Sequence, residues 1–200
     1  MKIDYEDYWN PKYYIENAEI NKKSVEKTIN DLPISEKKIM ICGRGENFHP
    51  DFHPRFSVPT TDLESELYVT TDHDPKYTQY INKKGSYALS LIVDPTVVKK
   101  IQNTGSTIYW FSIKEIKSDI PNLLCGEFPR VNSGLAAISL ATFLATESIL
   151  LSGIKFTGSY DQFLPGKEIV LQNVKKQAAK VYSLDGLIEK KISFNDWCEM

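Results

Sequence analysis

The chain has 200 residues, 42% of them hydrophobic and 25% charged, with a formal net charge of −2. That is enough chain for one domain with a substantial core. The near-balanced charge excludes a general nucleic-acid or anionic-membrane surface, and no apolar run approaches the ~18 residues of a membrane span.

The opening MKIDYEDYWN is too polar for a signal peptide. Residues 1–20 are dense in aromatic and acidic side chains, including Tyr5, Tyr8, Trp9, Tyr13 and Tyr14. Without a clean period and with Pro11, they read as an aromatic N-terminal arm laid over the domain or onto a second copy in a homo-oligomer. Asn21 to Leu32 is expected to be a helix, with Val25, Ile29 and Leu32 on one stripe and Pro33 after it. Residues 21–200 would then form the domain proper.

Lys38 to Cys42 reads as the first strand, running directly into Gly43-Arg44-Gly45-Glu46-Asn47-Phe48. A G-x-G turn at a strand's end is where doubly wound folds hold a phosphate, although the third glycine of the dinucleotide fingerprint is missing. The loop continues through His49-Pro50 and His53-Pro54. Two histidines four apart suggest metal ligation, but each precedes a proline, which disfavours a shared helix face; a lid or capping loop is the other reading. Glu66 to Thr70 is a second strand, leading into Thr71-Asp72-His73-Asp74-Pro75. The Asp-x-Asp can hold a divalent ion on a diphosphate or cap the helix that Pro75 begins.

Tyr87 to Val93 reads as a third strand, Asp94-Pro95 as the start of a helix through Ile101, and Thr107 to Phe111 as a fourth strand. Residues 113–131 have no regular pattern. Val131 to Phe156 then provides a capped helix, a turn and a strand. From Gly134 to Ala145 the helix is apolar or small on every side, as a helix packed on several faces should be. Asn132 and Ser133 stand at the cap, Gly134 allows close approach, and the amides at this helix start favour an anion. Ser148 to Ser152 is a continuously apolar strand, covered on both faces. Thr157 to Gly166 is a polar loop, Glu168 to Lys180 a helix, Val181-Tyr182 a last strand, and the tail with Phe194 and Trp197 folds back on the body.

Repeated strand–helix alternation implies a single α/β domain: a Rossmann-like, three-layer arrangement with a mostly parallel sheet. Cys42, Cys125 and Cys198 are odd in number and scattered, which fits a reducing, cytoplasmic compartment and neither a disulfide framework nor a zinc site. Among 24 basic residues only Arg44, Arg55 and Arg130 are arginine, each beside Gly or Pro in a predicted loop. They are candidates for bidentate anion contacts or for ordinary ion pairs.

Strand-G-x-G near the start, with N-S-G-helix-L-S-G-I-x-F later, resembles two related groups. One is the bacterial sialyltransferases that use CMP-activated sugars; the other comprises motility-associated glycosyltransferases and hydroxymethylpterin diphosphokinase-like proteins. The resemblance spans roughly residues 36–192. It implies that Gly43, Arg44, Gly45 and Asn47, with Asn132, Ser133 and Gly134, and Ser152 and Gly153, bind a nucleotide, whose phosphate Arg44 or Arg130 would help to hold. Glu46-Asn47 replaces the Pro-Ser of the pattern, Lys155 stands in place of an acid, and no histidine follows His73 to serve as the sialyltransferase base.

The implied function is transfer from a nucleotide-sugar, CMP-activated, to an acceptor glycan or small molecule. Asp72 or His73 would be the base, and no cofactor is required. The alternatives are a diphosphokinase, in which Asp72 and Asp74 would hold Mg²⁺ on a nucleoside triphosphate, and a non-catalytic nucleotide-binding or structural relative.

Overall fold

The computed structural model describes residues 10–45, 49, 51, 53–154, 162–184 and 190–200. Among the described residues ten strands form: β1 (Lys38–Cys42), β2 (Phe56–Ser57), β3 (Leu67–Thr70), β4 (Ser86–Ser90), β5 (Thr107–Phe111), β6 (Gly126–Glu127), β7 (Arg130–Val131), β8 (Ser148–Ser152), β9 (Lys180–Ser183) and β10 (Lys190–Lys191). The helices are α1 (Pro11–Asn21), α2 (Pro95–Asn103), α3 (Ser133–Phe143), α4 (Leu164–Lys176) and α5 (Phe194–Glu199).

Eight strands make one sheet in the order β10-β9-β8-β1-β2-β3-β4-β5, and every neighbouring pair is parallel. The chain is therefore an α/β domain of Rossmann-like type. Strand order reverses at β1: β2 to β5 extend to one side, β8 to β10 to the other. In open α/β sheets that reversal opens a crevice outside the strands' carboxyl ends, here between β1 and β8.

Side-chain alternation along β1 divides the core. Ile39 and Ile41 join the main cluster with α3 residues Leu135, Ile138 and Leu140. Cys42 joins a second cluster with Leu150, Tyr182 and Trp197. α3 is buried continuously from Ser133 to Thr142, and each fully buried Leu or Ile contributes roughly 1.5–3 kcal/mol. The tail forms α5, where the Trp197 indole donates to Ser148 Oγ at 2.8 Å and Lys38 Nζ lies 5.5 Å from the Trp197 ring centroid.

Several elements differ from the sequence reading. The helix expected over 21–32 ends at Asn21 and begins ten residues earlier, at Pro11, capped by Asn10. Only 3₁₀ turns follow, at Lys22–Ser24 and Ile29–Asp31. Two competing interactions stop the helix: Thr28 and Asp31 form a capping box, and Lys27 O accepts the Trp110 amide at 3.0 Å, drawing this segment onto the β5 edge. β2 follows where the stretch read as a lid ends, and β6–β7 form a small antiparallel hairpin in the stretch read as irregular. α4 starts at Leu164 rather than at Glu168.

Candidate functional site

β1 and β8 deliver their following turns to one place. Gly43 N donates to Ser152 O at 2.8 Å, and Gly45 N donates to Gly153 O at 2.6 Å. A Cβ on Gly43 would come within 2.5 Å of Gly153 O, and one on Gly153 within 2.5 Å of Gly45 O. Gly153 also has φ +65°, which an L side chain rarely adopts. The three glycines thus allow two backbone turns to touch.

The start of α3 faces the same crevice. A Cβ on Gly134 would lie 3.4 Å from Ile154, and one on Gly43 would lie 2.7 Å from it. The Ile154 side chain therefore fills the space between the glycine turn and the helix start, and it is buried. Asn132 caps the helix by accepting Leu135 N at 3.0 Å. Ser133 Oγ accepts Thr71 N at 3.0 Å and lies 3.4 Å and 3.3 Å from the Thr70 and Thr71 hydroxyls. Ser133 is thus a strut from α3 to the end of β3. At this helix start the Ser133 and Gly134 amides are the donors without a hydrogen bond among the described residues.

Arg44 is exposed, with its guanidinium 5.7 Å from the Tyr80 ring centroid. Arg130 is exposed on β7, two residues before Asn132. Arg55 lies elsewhere: it pairs with Glu36 and Glu66 at the amino ends of β1 and β3. Asn47, with Glu46, Phe48, Lys155 and Phe156, lies outside the described residues.

Past β3, Asp72 is half-buried and His73 is buried. The His73 ring packs on Tyr14 with centroids 4.1 Å apart, and Phe128 meets Tyr14 edge-on at 4.9 Å. Burial, and then the Asp72 charge, push the Tyr14 phenol far above its usual range. Its hydroxyl donates to Pro129 O at 2.5 Å. Asn17 Nδ2 donates to Ile92 O at 3.1 Å, and Asn21 Nδ2 donates to Leu91 O and Val93 O at 2.7 Å each. α1 thus lies across the carboxyl ends of β3 and β4. The sequence places Tyr14 only among the aromatics of an arm and Asn21 only at a helix start, although Tyr14, Ala18 and Asn21 carry the helical i, i+4, i+7 spacing of the buried face.

Asp74 caps the 3₁₀ turn Pro75–Tyr80, accepting Lys76 N at 2.8 Å. Among the described residues no group of three or more His, Cys, Asp or Glu side chains could hold a metal ion. Cys42, next to the glycine turn, is not an ionised nucleophile at neutral pH: burial, only partly offset by Lys83, pushes its thiol up to about 12. No helix of the described residues is long and apolar enough to cross a membrane. Comparison with protein-family models, curated proteins and solved structures finds no match for this chain.

Proposed function

We propose that this chain is a glycosyltransferase-like protein that takes a nucleotide-activated sugar, CMP being the carrier implied by the sequence resemblance. The observation that carries this reading is convergence. At the point where strand order reverses, the glycine turn after β1 and the start of α3 both abut Ile154. The Ser133 and Gly134 amides would meet the donor's phosphate, where placed donors stabilise the charge of the departing nucleotide. Arg44 and Arg130 would add charge from the rim. Asp72 is the better base of the two candidates, because His73 is sealed under Tyr14. The diphosphokinase alternative is less well supported, since the Asp74 carboxylate is engaged as a cap.

One observation favours a second reading. Ile154 fills the gap between the two loops, and Ser133 is tied to Thr71; a scaffold that binds no nucleotide here would look the same. A thermal-denaturation panel decides between them. CMP or CDP should raise the midpoint without metal, by about 2.7 kcal/mol of stabilisation at a hundredfold excess over Kd. Asp72→Asn should retain that rise while losing sugar transfer. A response that requires ATP with Mg²⁺ assigns the diphosphokinase chemistry, and no response to any nucleotide assigns the inert scaffold.

A further inference from the structure

The other half of the carboxyl edge holds a basin that the nucleotide reading does not use. Its walls come from segments that follow strand ends: His49 after β1, Leu184 after β9, and Ile192 to Phe194 after β10. Its volume is about 780 Å³, within the ~300–1,000 Å³ of typical small-molecule sites. Position, size and lining each bear on what it takes.

The lining combines apolar surface with two lysines and one carboxylate among the described residues. The His49 and Phe194 rings stack with centroids 4.6 Å apart and planes 19° from parallel, while Leu184 and Ile192 add aliphatic surface. The stacked pair and the two aliphatic side chains together offer apolar surface to the C–H groups of a sugar ring. Lys190 and Lys191 are both exposed and have no ion-pair partner among the described residues. Asp196, the carboxylate in the described lining, accepts Ser193 Oγ at 2.7 Å and keeps its charge, so the two lysines outweigh it. Lysines on an edge strand also discourage strand addition, but that role asks for neither an aromatic wall nor a cavity beside them.

We propose that this basin binds a sugar carrying a carboxylate or phosphate, with its ring against the apolar lining of Leu184, Ile192 and the His49–Phe194 pair and its anion on Lys190 and Lys191. The proposal stands apart from the nucleotide reading and survives if that reading fails. If both hold, the basin is where an acidic acceptor sugar waits beside the donor.

The test is calorimetric titration of the full chain with glucuronic acid, glucose 6-phosphate, neutral glucose and inorganic phosphate at low salt. Either acidic sugar binding, with glucose silent and inorganic phosphate weaker, supports the site. Which acid binds identifies the anion. Lys190→Gln with Lys191→Gln should weaken that binding at least about tenfold, since charge-assisted contacts are lost, without moving the thermal midpoint. Phe194→Leu should weaken the sugar acids while leaving inorganic phosphate unchanged. The proposal is overturned if neither acid binds at millimolar concentration, if the double lysine variant binds as the parent does, or if inorganic phosphate binds as tightly as the sugar phosphate.

Discussion

The two halves of the sheet's carboxyl edge differ in how their polar groups are satisfied. Over β3 and β4, α1 lays the buried Asn21 and half-buried Asn17 amides onto the turn carbonyls of residues 91–93, and Tyr14 ties His73 to the β6–β7 hairpin. Over β10, Lys190 and Lys191 have no ion-pair partner among the described residues and stand beside an aromatic pair and a cavity. The α1 amides and the Tyr14 phenol in the first half serve the fold; the lysines in the second are exposed to a ligand. A residue's type alone does not separate the two cases, whereas the presence of an internal partner does.

The largest expected effect is alkaline, and it falls on the sealed half and the centre. Cys42 rises from 9.0 to about 12 and Tyr87 from 10.0 to about 12, both chiefly through burial. Tyr14 and Cys125 are pushed up in the same direction, again mainly by burial. The unfolded chain releases these protons near pH 9–10, while the folded chain holds them. Above that range unfolding therefore releases protons, and stability falls as pH rises. Stability measured by urea denaturation should be level below pH 9 and decline steadily toward pH 12. A flat profile across that window would contradict the burial assigned to these groups.

Next in size is Gly153→Ala, at the joint between the halves. Its Cβ would meet the carbonyls of Gly45 and Gly43 at 2.5 and 2.9 Å, at a φ of +65°. We expect a loss of about 3 kcal/mol or more, because neither backbone can yield cheaply. Asn21→Ala should cost about 2–3 kcal/mol, since it leaves two turn carbonyls without a donor in a buried site. Lys190→Ala, in the open half, should change stability by less than about 0.5 kcal/mol. If chemical denaturation gives similar losses for Asn21→Ala and Lys190→Ala, the contrast between the halves fails.

Much of this architecture was legible in the sequence because it rests on unbroken apolar runs. The runs at 38–42, 107–111 and 148–152 are long enough to specify parallel strands by burial alone, and the apolar girth of α3 announced its central place. The two-residue β2 and β10 carry no period and exist only through pairing with neighbours. α1 was hidden because its inward stripe is Tyr14, Ala18 and Asn21, which no hydrophobicity pattern selects. At the candidate site, Gly43, Gly45, Ser133, Gly134 and Gly153 do come together. What could not be read is that Ile154 would lie between the turns, or that Ser133 would be engaged by Thr71. Both depend on how two distant loops meet, which local pattern does not encode.

The most selective effect is that of Tyr14→Phe. The ring keeps its contacts with His73 and Phe128, so only the hydrogen bond to Pro129 O is lost, at a cost of about 1 kcal/mol. Because the change confines itself to the sealed half, amide exchange should quicken around the β6–β7 hairpin and stay unchanged at Ser183, Ile192 and Trp197. The substitution should also remove part of the decline above pH 10, since a phenol that no longer exists cannot be released on unfolding. Asp72 would lose a neighbour whose ionisation it opposes, while its own place at the end of β3 is held by its amide's bond to Thr70 Oγ1 at 3.2 Å. Transfer that depends on Asp72 should therefore persist in this variant. Loss of transfer with an unchanged hairpin would make Tyr14 part of the chemistry rather than of the seal.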